Sequence, residues 1–180
     1  MTSTVTTGLW HRFDHAEHAL CLRVNRGCQH VPTRRLFVTV SRLGDGIVWY
    51  VLMLAFALSG PQGALVAAQM AAAGLAGTAL YRQLKHRLVR ERPFISYASI
   101  QSGTAPLDRY SFPSGHTLHA VSFTLIATTH APELAPLLIP FTLLVATSRV
   151  VLGLHYPTDV LAGAAIGAAF ARAVMSLWPA

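Results

Sequence analysis

The strongest constraint on this chain is a set of long apolar runs cut by short polar turns. The runs cover roughly 44–58, 64–81, 114–129, 134–152 and 160–178, and within the first the strongest part is Ile47 to Leu58. Gly60-Pro61-Gln62-Gly63, the basic stretch from Arg82 to Pro93, His130-Ala131-Pro132-Glu133 and Gly153 to Asp159 divide them. Hydrophobic residues make up 53% of the chain and charged residues only 12%, with a mean hydropathy of +0.46. Runs of this kind belong in a bilayer rather than in a small soluble core. The expected fold is therefore all-α: a polytopic membrane helical bundle with five transmembrane helices and an amphipathic or partly embedded N-terminal helix. Residues 1–35 are expected to form an interfacial helix and basic connector, and residues 36–180 the transmembrane domain. The helix of the first run is expected to begin near Leu43 or Gly44, with 36–42 as a separate short helix, and Pro93 is expected to close the second.

The 180 residues carry a formal charge of +7, and thirteen of the fourteen basic side chains are Arg. Such a balance suits anionic lipid or a phosphorylated substrate. Nucleic acid is not an expected partner, because no basic, aromatic-interleaved surface lies apart from the apolar runs. In "WHRFDHAEHALCLRV", Trp10, Phe13, Leu20, Cys21 and Val24 fall on one helical face, with Arg12, Glu17 and Arg23 largely elsewhere. This pattern fits a helix lying in the interface or one packed on the bundle. No secretory signal is evident. Cys21 and Cys28 have a spacing that decides nothing about pairing.

Consecutive spans joined by short turns alternate in direction, and this gathers the polar residues. Lys85 and Arg92 follow the second run, Ser114, Gly115 and His116 open the third, Ser148 and Arg149 end the fourth, and His155 and Asp159 open the fifth. All four ends fall on one membrane face, while the opposite turns, 60–63 and 130–133, contain no Lys or Arg.

Arg149 interrupts "LLVATSRVVLGL", where an unpaired guanidinium near hydrocarbon is costly. Snorkelling alone accounts for it poorly once Lys85, Arg92 and two histidines share its face. Together these groups suit an anion with several oxygens, most simply a phosphate. His155 and Asp159 are four apart, so in helical register the carboxylate can orient the imidazole. "PSGH" places backbone amides at a helix start, where anions bind, and Gly115 permits close approach.

The stretches "KHRLVRERP" (Lys85 to Pro93), "PSGH" (Pro113 to His116) and "SRVVLGLHYPTD" (Ser148 to Asp159) resemble, in order, the three-part motif of the type 2 phosphatidic acid phosphatase (PAP2) superfamily. The resemblance covers roughly 44–178, and no key position departs from the pattern. It implies a metal-independent lipid phosphate phosphatase with no cofactor. His155 would be the nucleophile that forms a phosphohistidine, Asp159 its orienting carboxylate, and His116 the acid for the leaving oxygen. Lys85, Arg92 and Arg149 would clamp the phosphoryl oxygens, with hydrogen bonds from Ser114 and the Gly115 amide. The substrate would be a lipid phosphate amid membrane lipids: undecaprenyl diphosphate, phosphatidylglycerophosphate or phosphatidic acid in type. A phosphotransferase or an idle anion-binding membrane protein could use the same site. The resemblance further implies a bacterial inner membrane with the site facing outward, whereas Arg34, Arg35 and Arg42 favour the opposite orientation by the positive-inside rule. Tyr97, Asp108 and Tyr110 in the 94–112 loop either shape headgroup access or cap the bundle.

Overall fold

Every apolar run is helical in the computed structural model, which describes residues 15–106 and 108–179. Trp10, Arg12 and Phe13 lie outside the described residues, and the N-terminal helix is seen over 15–25 (α1). A short 3-10 turn, Arg26–Gln29, leads to α2 (Val31–Arg42), α3 (Val48–Leu58), α4 (Pro61–Leu88), the single turn α5 (Pro93–Ser96), α6 (Gly115–His130), α7 (Ala135–Val151) and α8 (Pro157–Leu177). Proline stands in the first turn of α2, α4, α5, α7 and α8, where its missing N–H costs nothing.

Three expectations need correction. Among the described residues four helical stretches, not five, are long and apolar enough to cross a membrane: Val31–Leu58, Pro61–Leu88, Pro132–Val151 and Pro157–Leu177. The run at 114–129 forms α6, whose 16 residues span only about 24 Å at 1.5 Å per residue. It is the central helix, packed by α4, α7 and α8, with Leu118, Ala120, Ile126 and Ala127 fully buried.

The first span starts at Val31, well before Leu43. Residues 36–42 are not separate from it, because a π-helical turn at Leu43–Ile47 carries α2 directly into α3. Gly46 sits in that turn at φ 145, a conformation that favours glycine, and such turns concentrate at functional sites. Pro93 does not close α4. That helix stops at Leu88, where Val89 adopts a left-handed φ of 46, unusual for a β-branched residue.

The core lies between α3, α4, α6 and α7. Trp49, Met70, Phe123, Ile126 and Val145 form its centre, and the Trp49 indole donates to the Gly44 carbonyl (3.0 Å). The closest helix pair is α6 with α8. A methyl group at Gly163 would stand 2.5 Å from the Ser114 carbonyl oxygen, and one at Gly167 would strike the Leu118 backbone. This small-xxx-small spacing lets two backbones approach without side chains between them. The Asp159 carbonyl consequently accepts the Ser114 N–H (3.0 Å), joining the starts of both helices. Cys21 and Cys28 are free and buried in different clusters.

Gly163→Leu is expected to destabilise the detergent-solubilised protein by about 1–3 kcal/mol through overpacking. A denaturant or thermal melt would check this, and an unchanged midpoint would contradict the close α6–α8 contact.

Candidate active site

Helix ends converge on one cavity of about 480 Å³. Lys85 enters it from the last turn of α4, Arg92 from the segment before α5, Gly115 and His116 from the first turn of α6, Arg149 from the last turn of α7, and His155 from the α7–α8 connection. The structure thus brings together six of the eight residues singled out in the sequence. Ser114 and Asp159 do not line the cavity; both are wholly buried behind its wall. Ser114 caps α6, its Oγ facing the Thr117 amide (3.5 Å) and hydroxyl (3.0 Å).

Three of the cations that line the cavity are almost completely buried, with Lys85 7%, Arg92 2% and Arg149 3% exposed, whereas Arg82 is exposed. Asp108 bridges two of them, accepting from Lys85 Nζ (2.6 Å) and from Arg92 (2.8 Å). Arg92 also donates to the backbone carbonyls of Asp108 and Leu154, each at 2.8 Å. Burial pushes the Asp108 carboxyl up, but Lys85 and then Arg92 outweigh it and hold it below the ordinary carboxylate range. Arg149 differs. Its guanidinium donates to Ser41 Oγ, its Nε is buried without a partner, and no carboxylate lies within ion-pair distance of it among the described residues. A buried, incompletely satisfied cation is a standing site for an anion.

The His155 tautomer follows from its neighbours. An Arg92 amino group lies 3.2 Å from His155 Nε2, and a guanidinium can only donate, so Nε2 accepts. The proton of the neutral ring then sits on Nδ1, which faces Asp159 Oδ2 at 3.6 Å. That separation exceeds a hydrogen bond, and Nδ1 has no hydrogen-bond partner among the described residues. Burial, and then Arg149, Arg92 and Lys85, drive His155 well below the ordinary imidazole range. The ring is a neutral base with its lone pair turned toward the cations.

Four further residues belong to the site's surroundings. Asp108, left open in the sequence, occupies the place between the clamping cations. Asp45, from the π-helical turn, lies 3.2 Å from His116 Nε2 and lines the cavity. Its charge inside an apolar run was the signal that could have found it. Arg90 pairs with Asp159 (2.7 Å) and Glu17 (2.6 Å). Arg90 was hidden among neighbouring cations, and nothing in the sequence marked Glu17. No group of three His, Cys, Asp or Glu side chains suited to a metal ion occurs among the described residues.

From the charged end the cavity runs on between α3 and α4, where Trp49, Tyr50, Met53, Ala71 and Leu75 line it. One continuous space thus offers cations at one end and apolar surface at the other.

Known proteins are similar to this chain. The chain is 42% identical over 82 residues to the decaprenylphosphoryl-5-phosphoribose phosphatase of Mycolicibacterium smegmatis, a match spanning 44% of this chain and 42% of that relative. It therefore aligns with less than half of the curated relative's length. Among solved structures, LpxE of Aquifex aeolicus is similar with a TM-score of 0.74 and 25% identity, covering 86% of this chain and 92% of the other. The first transmembrane PAP2-type phosphatidylglycerolphosphate phosphatase from Bacillus subtilis shares the fold at a TM-score of 0.69 and 22% identity, covering 92% and 86%. The sequence profile of the PAP2 superfamily matches residues 62–180, which is more than half of the chain and includes Lys85, Arg92, Ser114, Gly115, His116, Arg149, His155 and Asp159, so the chain belongs to the PAP2 superfamily.

Proposed function

We propose that this protein is an integral-membrane lipid phosphate phosphatase that works through a phosphohistidine, without a metal. The carrying observation is Arg149, buried in an apolar bundle with no carboxylate partner among the described residues, beside the neutral His155. An anion with several oxygens would satisfy the free Nε of Arg149 and replace Asp108 on Lys85 and Arg92.

In this reading the His155 Nε2 lone pair attacks phosphorus, and the bond from phosphorus to the leaving oxygen breaks. Burial and then Arg149 push the pKa of the His116 ring down to about 2, so in this reading it takes up a proton as the bound phosphate offsets the cations, and then gives that proton to the leaving oxygen. The positive charge arising on the His155 ring is met by Asp159 through Nδ1, whose 3.6 Å gap closes as the charge develops. Lys85, Arg92, Arg149 and the Gly115 amide hold the other phosphoryl oxygens. Ser114 supports that amide by capping the helix, a different role from direct contact, because its hydroxyl is turned to Thr117. Water then returns a proton to His116, its oxygen attacks phosphorus, and the phosphorus–nitrogen bond breaks to release phosphate.

The apolar end of the cavity supports a lipid tail lying between α3 and α4. Undecaprenyl diphosphate, phosphatidylglycerophosphate and phosphatidic acid are the candidate substrates. The relationship to the decaprenylphosphoryl-5-phosphoribose phosphatase adds a prenyl-linked sugar phosphate.

The test is phosphate release by the purified protein from a panel of these lipids in the presence of EDTA. Release from at least one is expected, and none from any would sink the reading. Transfer to an added alcohol in place of water would instead reveal a phosphotransferase. His155→Ala should cost about a thousandfold or more in kcat.

Asp108→Asn removes a carboxylate that competes with substrate, so orthovanadate should bind about two- to fivefold tighter, the size expected of a partly exposed pair. Weaker inhibition would make Asp108 a scaffold for the clamp.

The site is proposed to face outward from the bacterial inner membrane. Reporter fusions at the 60–63 turn and at the C-terminus should then both report cytoplasm, and a periplasmic signal from both would invert the orientation.

A further inference from the structure

Arg90 belongs to the same basic stretch as Lys85 and Arg92, yet it does not line the cavity. It turns the other way, behind His155. One of its terminal nitrogens donates to Asp159 Oδ1 and to the Thr158 hydroxyl, each at 2.7 Å, and the other reaches Glu17 Oε2 at 2.6 Å. Its guanidinium lies over the Tyr156 ring, 4.0 Å from the centroid. Burial opposes the Arg90 charge, but Asp159 and then Glu17 outweigh it and hold it above the ordinary value.

Asp159 is fully buried. Its Oδ2 accepts the Tyr156 N–H (2.8 Å) as well as facing His155 Nδ1, so the two oxygens have separate tasks. Apart from His155, Arg90 is its ion-pair partner among the described residues. A carboxylate this deep stays charged only with such a partner. Glu17, 7% exposed, holds Arg90 in turn, and its Oε1 takes both the Thr158 N–H (2.9 Å) and the Thr158 hydroxyl. It ties the first turn of α8 to α1, a helix outside the 62–180 region that matches the family.

We propose that Arg90 and Glu17 are positioning residues for the reaction: Arg90 holds Asp159 as an oriented anion behind the nucleophile His155, and Glu17 on α1 holds Arg90. The N-terminal helix thereby becomes part of the catalytic apparatus without reaching the substrate. This inference rests on the phosphatase reading above. Neither residue enters a bond-making step. Each acts through Asp159 on the direction and protonation of His155.

Glu17→Gln and Arg90→Ala should each lower kcat about 10- to 100-fold, as loss of an outer hydrogen-bonding partner does, with Arg90→Ala the larger effect. Inhibition by orthovanadate should not change, because Lys85, Arg92 and Arg149 remain. In an Asp159→Asn background Arg90→Ala should add little further loss, since both changes break one unit. Arg90→Lys keeps the charge and should recover part of the rate.

Full kcat in the folded Arg90→Ala protein would overturn the proposal. So would a loss that multiplies in the Asp159→Asn background, or vanadate affinity falling in step with kcat. Nitrogen NMR of labelled histidine supplies a readout free of turnover. His155 should hold its proton on Nδ1 in the wild type and lose that single tautomer in Arg90→Ala; an identical ring signal in both would overturn the proposal even if no lipid were hydrolysed. A wild type that hydrolyses nothing but shows the expected tautomer shift would strike the phosphatase reading alone.

Discussion

Three buried cations share one cavity wall in a bundle made mostly of apolar helices, and the rest of the structure answers to that constraint. Lys85, Arg92 and Arg149 repel each other, and each loses its hydration on burial. Asp108 compensates two of them from a loop, leaving Arg149 with a hydroxyl partner and a free Nε. A buried cation left incompletely satisfied in this way suits an anion. Burial, with that cationic field added to it, keeps His155 neutral. Cations that attract a phosphate thus also preserve the lone pair that would attack it.

Bringing those groups together depends on small residues as much as on charge. His116 and Asp159 open α6 and α8, and these helices meet backbone to backbone at Gly163 and Gly167. The Ser114 N–H bonded to the Asp159 carbonyl joins their first turns directly. Bulkier residues at those two positions would separate the elements that carry His116 and Asp159. At the other side of the cavity, the left-handed Val89 ends α4 early. The following carbonyls of Arg90 and Glu91 can then accept from Ser111, whose N–H reaches Arg90 at 2.7 Å and whose Oγ reaches both. The long loop is thereby fastened to the same wall.

Much of this was legible because alternation of direction survives errors in span count. The deduction that Lys85, Arg92, His116, Arg149 and His155 share one face needed only that successive helices reverse. Those five residues line one cavity although α6 is too short to be counted as a span. Boundaries were less accessible. Leu43 or Gly44 looked like a helix start, but the π-helical turn Leu43–Ile47 carries the helix through them without a break. Pro93 looked like the stop for α4, yet the chain turns four residues earlier at a valine that no local rule nominates. Glu17 was invisible for another reason: its partners Arg90 and Thr158 lie 73 and 141 residues away. Pairings at that distance carry no periodic signal.

The position of the site within the bundle follows from the two phases its proposed substrate must occupy. Hydrolysis needs water and a route out for phosphate, which favours a helix-end location. A lipid tail needs apolar walls, which the α3–α4 groove supplies through Trp49, Tyr50, Met53 and Leu75. The charged groups divide along the same boundary. Lys85, Arg92 and Arg149 face the cavity, where substrate would neutralise them, whereas Arg90 is neutralised permanently by Asp159 and Glu17. Cations of the first kind can exchange partners during turnover. A cation of the second kind cannot, and that fixity suits a group whose task is to keep the carboxylate behind the nucleophile in place.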